Sequence, residues 1–254
     1  MRACGRLAQM WAKATSTGSI STVPTQISSR LTTQYHTDIR TDAIPTKYRR
    51  NTDTEKGPIM TQRPVCLITG GSAGIGAACA RLAAADYDLV LNYRTSKSDA
   101  EAVQKDVEAA GATCVIVQGD VSNPDDIQTI FKAADDSFGR LDVLINNAGI
   151  VAEAATLTQI DHARLTRMMN VNVIGAMLVA KEAVIRMQKQ GGGGAIINIS
   201  SAAARLGSGN QYLDYAASKG AIDTFTKGLS DEVAGDNIRV MSIRPGIILT
   251  KRKK

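Results

Sequence analysis

From residue 64 onward, short apolar runs alternate with longer helical patterns, and the first run is closed by Thr69-Gly70-Gly71-Ser72-Ala73-Gly74-Ile75-Gly76. That alternation constrains the fold more than any other feature. Residues 65–69, 89–93, 113–118, 141–146, 195–200 and 238–243 read as strands, and 75–85, 98–110, 122–138, 160–190 and 212–234 as helices. Ser98 ahead of Asp99 and Glu101 resembles a helix cap. Ser122-Asn123-Pro124-Asp125 is a helix start with proline just inside it. Gly175 interrupts the longest helix. Strands separated by helices of this length form a parallel sheet covered on both faces. Right-handed crossovers then make it doubly wound. The predicted class is α/β, with a single doubly wound parallel sheet.

The glycine loop lies between a strand and a helix, the setting in which a loop of this kind binds a dinucleotide. Gly70 permits the tight turn, Gly74 lets a pyrophosphate approach the backbone, and Gly76 lets the helix pack close to the strand. The free N–H groups of the helix start, with Ser72 and Ile75 beside them, then face phosphate oxygens. A plain tight turn is the competing reading. The spacing here is T-G-x-x-x-G-x-G rather than G-x-G-x-x-G. At the end of the second strand, Asn92-Tyr93-Arg94 replaces the acid that would hold a ribose 2′-hydroxyl. Arg94 can pair with a 2′-phosphate, so NADP is favoured and NAD is the alternative. Ala73 stands where a second basic residue would have strengthened that reading.

Tyr215-Ala-Ala-Ser-Lys219 places a phenol and an ammonium four residues apart, on one face of a helix. A free phenol ionises near pH 10, and a fixed cation nearby stabilises the phenolate. The pair is thus a candidate acid/base unit, with ordinary helix surface as the competing reading. Ser200-Ser201 end a strand, and ligands in such sheets sit at the carboxyl ends of strands. A serine there can hydrogen-bond a developing alkoxide, or simply serve a turn. Asn146-Asn147-Ala148-Gly149 ends the fourth strand, and Asn172 sits mid-helix, where asparagine is mildly disfavoured.

In this order, the T-G-x-x-x-G-x-G loop, Asp120-Val121, Asn146–Gly149, Asn172, Ser201, Tyr215-x-x-x-Lys219 and Pro245-Gly246 resemble the short-chain dehydrogenase/reductase family over 63–250. The stretches around Arg94 and after Ser201 are similar to the glucose dehydrogenase and 3-oxoacyl-carrier-protein reductase subgroup. The resemblance implies a Rossmann-type oxidoreductase moving a hydride between NADP or NAD and an alcohol or carbonyl. It implies Tyr215 as general acid/base, with Lys219 on the nicotinamide ribose and Ser201 on the substrate oxygen. It also implies Asn172 holding a relay water, and Asp120 and Val121 at the adenine. Asn147, Ala148 and Gly149 would support the sheet beside the cofactor. Pro245, Gly246 and Thr250 would stand at the nicotinamide, and the assembly would be a homo-tetramer or dimer.

The ends read differently. In the family a substrate loop, two short helices and a last strand follow Pro245-Gly246, whereas here Ile247-Ile-Leu-Thr250 leads only to Lys-Arg-Lys-Lys. The expectation is a domain over 61–250 without its last strand, followed by a basic tail at 251–254. A remnant that binds nucleotide without turnover is the alternative function. Residues 1–60 carry nine Lys/Arg against four Asp/Glu, and Arg2, Arg6, Lys13 and Arg30 precede the first acid, Asp38. They read as an extension: either a mitochondrial transit segment or a stretch upstream of a working start at Met60. Otherwise the cytoplasm is the expected location. Of the net charge of +6, residues 1–60 supply +5 and the tail +4, leaving 17 basic against 20 acidic residues in 61–250. A nucleic-acid-binding body carries its positive charge on itself, and aromatic residues for stacking are only 4%. A basic-tailed interaction protein is disfavoured for the same reason. No Cys-x-x-Cys pair occurs, and two histidines give no zinc pattern. No continuous run of about 18 apolar residues suggests a membrane span.

Overall fold

The computed structural model describes residues 63–248. The expected extension at 1–60, Thr250 and the basic tail at 251–254 lie outside the described residues. Six strands form one sheet: β1 (Val65–Ile68), β2 (Asp88–Tyr93), β3 (Cys114–Gln118), β4 (Val143–Asn146), β5 (Gly194–Ile199) and β6 (Ile238–Ile243). Their order is β3-β2-β1-β4-β5-β6 and every pairing is parallel. The chain winds outward from β1 to β3, returns to β4 beside β1, and winds outward again to β6. The loops after β1 and β4 therefore diverge, which opens a crevice at the carboxyl ends of the strands.

The central strands are largely apolar because helices cover both sides of them. On one face lie α1 (Gly74–Ala83) and α2 (Lys97–Ala109). Ala77, Ala80 and Ala83 of α1 are buried at three-residue spacing, so this helix packs close to the sheet. On the other face lie α3 (Pro124–Phe138), α5 (Ala176–Gln190) and α7 (Leu213–Glu232). There Leu67, Leu144 and Ile196 of the sheet meet Ile127, Phe131, Val179, Ala183 and Met187, with Phe225 and Leu229 at the margin. Each fully buried large side chain contributes about 1.5–3 kcal/mol relative to exposure. The start of α3 is as expected: Pro124 is its first residue, and the Asn123 side chain accepts from Asp125 N at 3.0 Å.

Two helices depart from expectation. α2 begins at Lys97 after Ser96, without a side-chain cap. The helix expected over 160–190 is in three pieces: α4 (His162–Met169), a π-helical turn (Asn170–Gly175) and α5. Asp161 caps α4 by accepting from Arg164 N at 2.7 Å. Gly175 ends the π turn where a Cβ would strike the Val121 carbonyl. By length and composition the run His162–Gln190 is apolar enough to cross a membrane, which no uninterrupted apolar stretch had suggested. Half of that window is buried, and Val179, Ala180 and Ala183 pack on the sheet, the place of a core helix. A short helix, α6 (Ala203–Leu206), follows β5 and was not expected.

Candidate active site

The loop after β1 is built around backbone approach. Gly70 adopts φ +63, a left-handed conformation that side chains disfavour. A Cβ on Gly76 would strike the Gly70 carbonyl and stand 2.6 Å from Asn147 Nδ2. The first turn of α1 has neither a side-chain cap nor an acidic residue, so its N–H groups remain available to an anion. The loop is held from both neighbouring strands. Thr69 Oγ1 accepts from Asn147 N and Ala148 N, each at 3.0 Å. Asn147 Nδ2 donates to Thr69 O at 2.9 Å and to Gly70 O at 3.1 Å. From the β2 side, Asn92 Oδ1 accepts from Gly70 N at 3.3 Å, while its Nδ2 donates to Gly119 O at 2.9 Å.

Beside the loop is a cleft of about 180 Å³ that brings Gly70, Ser72, Arg94, Asp120, Val121, Ala148 and Gly149 together. Arg94 is exposed and pairs with Asp120 at 3.6 Å. Partial burial pushes the Asp120 carboxyl up, but Ser122 and Arg94 together hold it below its ordinary value. Ser122 donates to Asp120 Oδ1 through its hydroxyl at 2.7 Å and its N–H at 2.9 Å.

A larger cleft, about 740 Å³, opens over the ends of β4, β5 and β6. Ile75, Asn147, Gly149, Ser201, Tyr215, Lys219, Pro245 and Gly246 all line it. Tyr215 and Lys219 lie one turn apart on α7, with the ammonium 5.8 Å from the phenol ring centre. Lys219 is buried and donates to Ile199 O at 2.7 Å. Burial lowers its pKa from 10.5 to about 8, against a smaller upward push from Asp223. The two serines part ways. Ser200 is buried and donates to Lys219 O at 3.3 Å, while Ser201 is only half-buried and accepts from the N–H of Ala203, the first residue of α6, at 3.1 Å. Gly149 connects the two clefts. A Cβ there would lie 3.2 Å from Asn172 Oδ1 and 3.4 Å from Lys219 Nζ.

Asn172, in the π turn, is buried and fully engaged. Its Oδ1 accepts from Ile150 N at 2.7 Å, and its Nδ2 donates to Ile150 O at 2.9 Å and Ser218 Oγ at 3.1 Å. Its side chain therefore braces the segment after β4 against α7. Of the candidate site residues named from the sequence, all but Thr250 are described, and they gather along the carboxyl edge of the sheet. Thr69, the Asn92 side-chain bonds and Asp214 escaped sequence reasoning. Only the position of Thr69 at the head of the glycine loop hinted at its role.

The arrangement agrees with comparison to known proteins. Residues 64–254 match the family model for short chain dehydrogenases. The chain belongs to the short chain dehydrogenase family. It is 45% identical to the oxidoreductase YgfF of Escherichia coli (strain K12) over 190 residues, 74% of this chain and 77% of that one. A short chain dehydrogenase from Burkholderia cenocepacia J2315 in complex with NADP superposes with a TM-score of 0.71 at 34% identity, over 75% of this chain and 76% of that one. A 3-ketoacyl-(acyl-carrier-protein) reductase from Brucella melitensis complexed with NADH gives 0.69 at 29%, over 75% and 78%. As a short chain dehydrogenase, the protein is an NAD(P)-dependent oxidoreductase acting on a small molecule.

Proposed function

We propose that this short chain dehydrogenase prefers NADP(H) and interconverts an alcohol and a carbonyl, with Tyr215, Lys219 and Ser201 as its catalytic residues. The observation that carries the reading is that these three side chains line one cleft, with Ile75 at the start of the glycine-loop helix among its other lining residues. When bound, the nicotinamide supplies or takes the hydride. The adenosine end falls to Asp120 and Val121, and Arg94 meets the 2′-phosphate by exchanging its bond to Asp120. Gly70, Ser72, Gly74, Ile75 and Gly76 hold the pyrophosphate. Ala148, Gly149, Pro245 and Gly246 would border the nicotinamide.

In the reducing direction Tyr215 Oη donates its proton to the carbonyl oxygen, and Ser201 Oγ hydrogen-bonds the same oxygen. Lys219 places a positive charge one helical turn from the phenol, where negative charge develops as the proton leaves. In oxidation the proton returns to Tyr215. Asn172 and Asn147 enter as braces that fix the walls of the site. Val151 and Leu206, exposed apolar residues on the cleft, suit a carbonyl with apolar substituents. Cys66, Cys79 and Cys114, all free thiols, suit a reducing compartment, and we assign the cytoplasm.

Titration of the purified chain with NADPH and NADH, followed by nicotinamide fluorescence, tests the reading. Saturable binding about tenfold tighter for NADPH is expected, from one charge-assisted contact to phosphate. Arg94→Ala should erase that preference, and Tyr215→Phe should keep binding while ending carbonyl reduction. Equal affinity for the two nucleotides would remove the NADP assignment, and no binding to folded protein would remove the whole reading.

A further inference from the structure

The first turn of α7, which carries Tyr215, is entered from an irregular segment. Gly207, Ser208 and Asn210 all have positive φ, at 74, 48 and 63, and the last two are conformations that non-glycine residues seldom adopt. Tyr212, the residue that opens the helix, makes no side-chain cap. Locally the turn is held by backbone hydrogen bonds alone, from Tyr212 N to Ser208 O at 3.0 Å and from Ala216 N to Tyr212 O at 2.8 Å.

Side-chain support comes from α4. Asp214, immediately before Tyr215, has a side chain only 1% exposed. Its carboxylate accepts from Arg164 Nε at 2.7 Å and Nη2 at 3.1 Å, a two-pronged contact across 50 residues of sequence. Arg164 is itself fixed by its backbone N–H, which Asp161 accepts at 2.7 Å. On the far side of Tyr215, Ser218 Oγ donates to the Tyr215 carbonyl at 2.7 Å and accepts from Asn172 Nδ2 at 3.1 Å. The helical run from α4 through the π turn thus grips α7 on both flanks of Tyr215. Arg164 and Asn172, two turns apart, are its two contact points.

We propose that Arg164 and Asp214 are positioning residues for Tyr215: their ion pair sets where the phenol stands in the large cleft and thereby sets the rate of proton transfer. The pair touches neither of the two clefts assigned to cofactor and substrate. Its effect is on geometry, and misplacing a reacting group by about 1 Å can slow a reaction about a hundredfold. The hydrogen bonds from Arg164 hold the Asp214 carboxyl below its ordinary range, so the pair is fully charged at neutral pH. The inference rests on Tyr215 being the acid/base group.

The test uses the full chain labelled with 3-fluorotyrosine, with the Tyr215 resonance assigned by its loss in Tyr215→Phe. In the unaltered protein that resonance should be single. In Asp214→Asn and in Arg164→Gln it should shift and broaden, while NADPH affinity stays within about twofold. With 9,10-phenanthrenequinone as the carbonyl probe, kcat should fall about 10- to 100-fold with little change in KM for NADPH, and Arg164→Lys should recover part of it. If Asp214→Asn does not fold, the two Arg164 variants decide. An unchanged Tyr215 resonance in the folded variants overturns the proposal, with or without turnover of the probe. If Tyr215→Phe itself retains full kcat, the acid/base reading falls instead.

Discussion

Replacing Lys219 by methionine should make the protein more stable at neutral pH even as it removes activity. The ammonium is only 5% exposed and makes one hydrogen bond, to Ile199 O. Burial brings its pKa from 10.5 to about 8. That drop corresponds to about 3 kcal/mol of destabilisation of the folded state. The folded pKa lies below the unfolded one, so this penalty is complete below about pH 8. It is relieved between about 8 and 10.5, where the unfolded chain still binds the proton that the folded chain has released. Methionine keeps an apolar stem of similar length but leaves the Ile199 carbonyl unsatisfied, at about 1–2 kcal/mol. The net gain at pH 7 is then about 1–2 kcal/mol, a rise in Tm of roughly 2–8 °C for a domain this size. By pH 10 the order of stability should invert. The raised thiol pKa values of Cys66, Cys79 and Cys114 also make stability depend on alkaline pH, but they are common to both proteins and cancel in the difference. Urea unfolding followed by circular dichroism, with reductant present, at pH 7, 8.5 and 10 reads the effect. A stability difference between the two proteins that does not change with pH would refute the reasoning.

Two further substitutions probe the walls of the site. Gly76→Ala places a methyl against the Gly70 carbonyl and Asn147 Nδ2, so NADPH affinity should weaken at least about tenfold while the circular dichroism spectrum is retained; unchanged affinity in the fluorescence titration would count against the glycine-loop assignment. Thr69→Val keeps the side-chain shape but strands the N–H groups of Asn147 and Ala148. The expected loss is about 2–3 kcal/mol, seen as a fall in Tm of roughly 4–12 °C, and a fall of under about 1 °C would show that the hydroxyl is not their main partner.

The inner strands were legible because parallel strands buried on both faces are uninterrupted apolar runs, as Val65–Ile68 shows. Tyr215 and Lys219 were legible because their relation is local, one helical turn. The π turn was not, because one additional residue barely disturbs an apolar pattern already interrupted by Asn172 and Gly175. The Arg94–Asp120 contact joins two residues that each stood out alone, yet nothing in the chain says that they meet. Asp214 and Arg164 were invisible for a related reason. A carboxylate and a guanidinium separated by 50 residues have no shared local signature, and their partnership exists only once α4 is laid beside α7.

The π turn carries one residue more than an α-helical path would need. At 3.6 residues per turn, each residue advances the azimuth by about 100°. The insertion therefore works as a phase shifter between two segments of what looks like one rod. Upstream of it, Arg164 is aimed at Asp214; downstream, Val179 and Ala183 are aimed at the sheet. A regular helix over the same span would satisfy either alignment and spoil the other. Idealising this helix, a common route to greater stability, would here dismantle the angular relation between the protein's core and its chemistry.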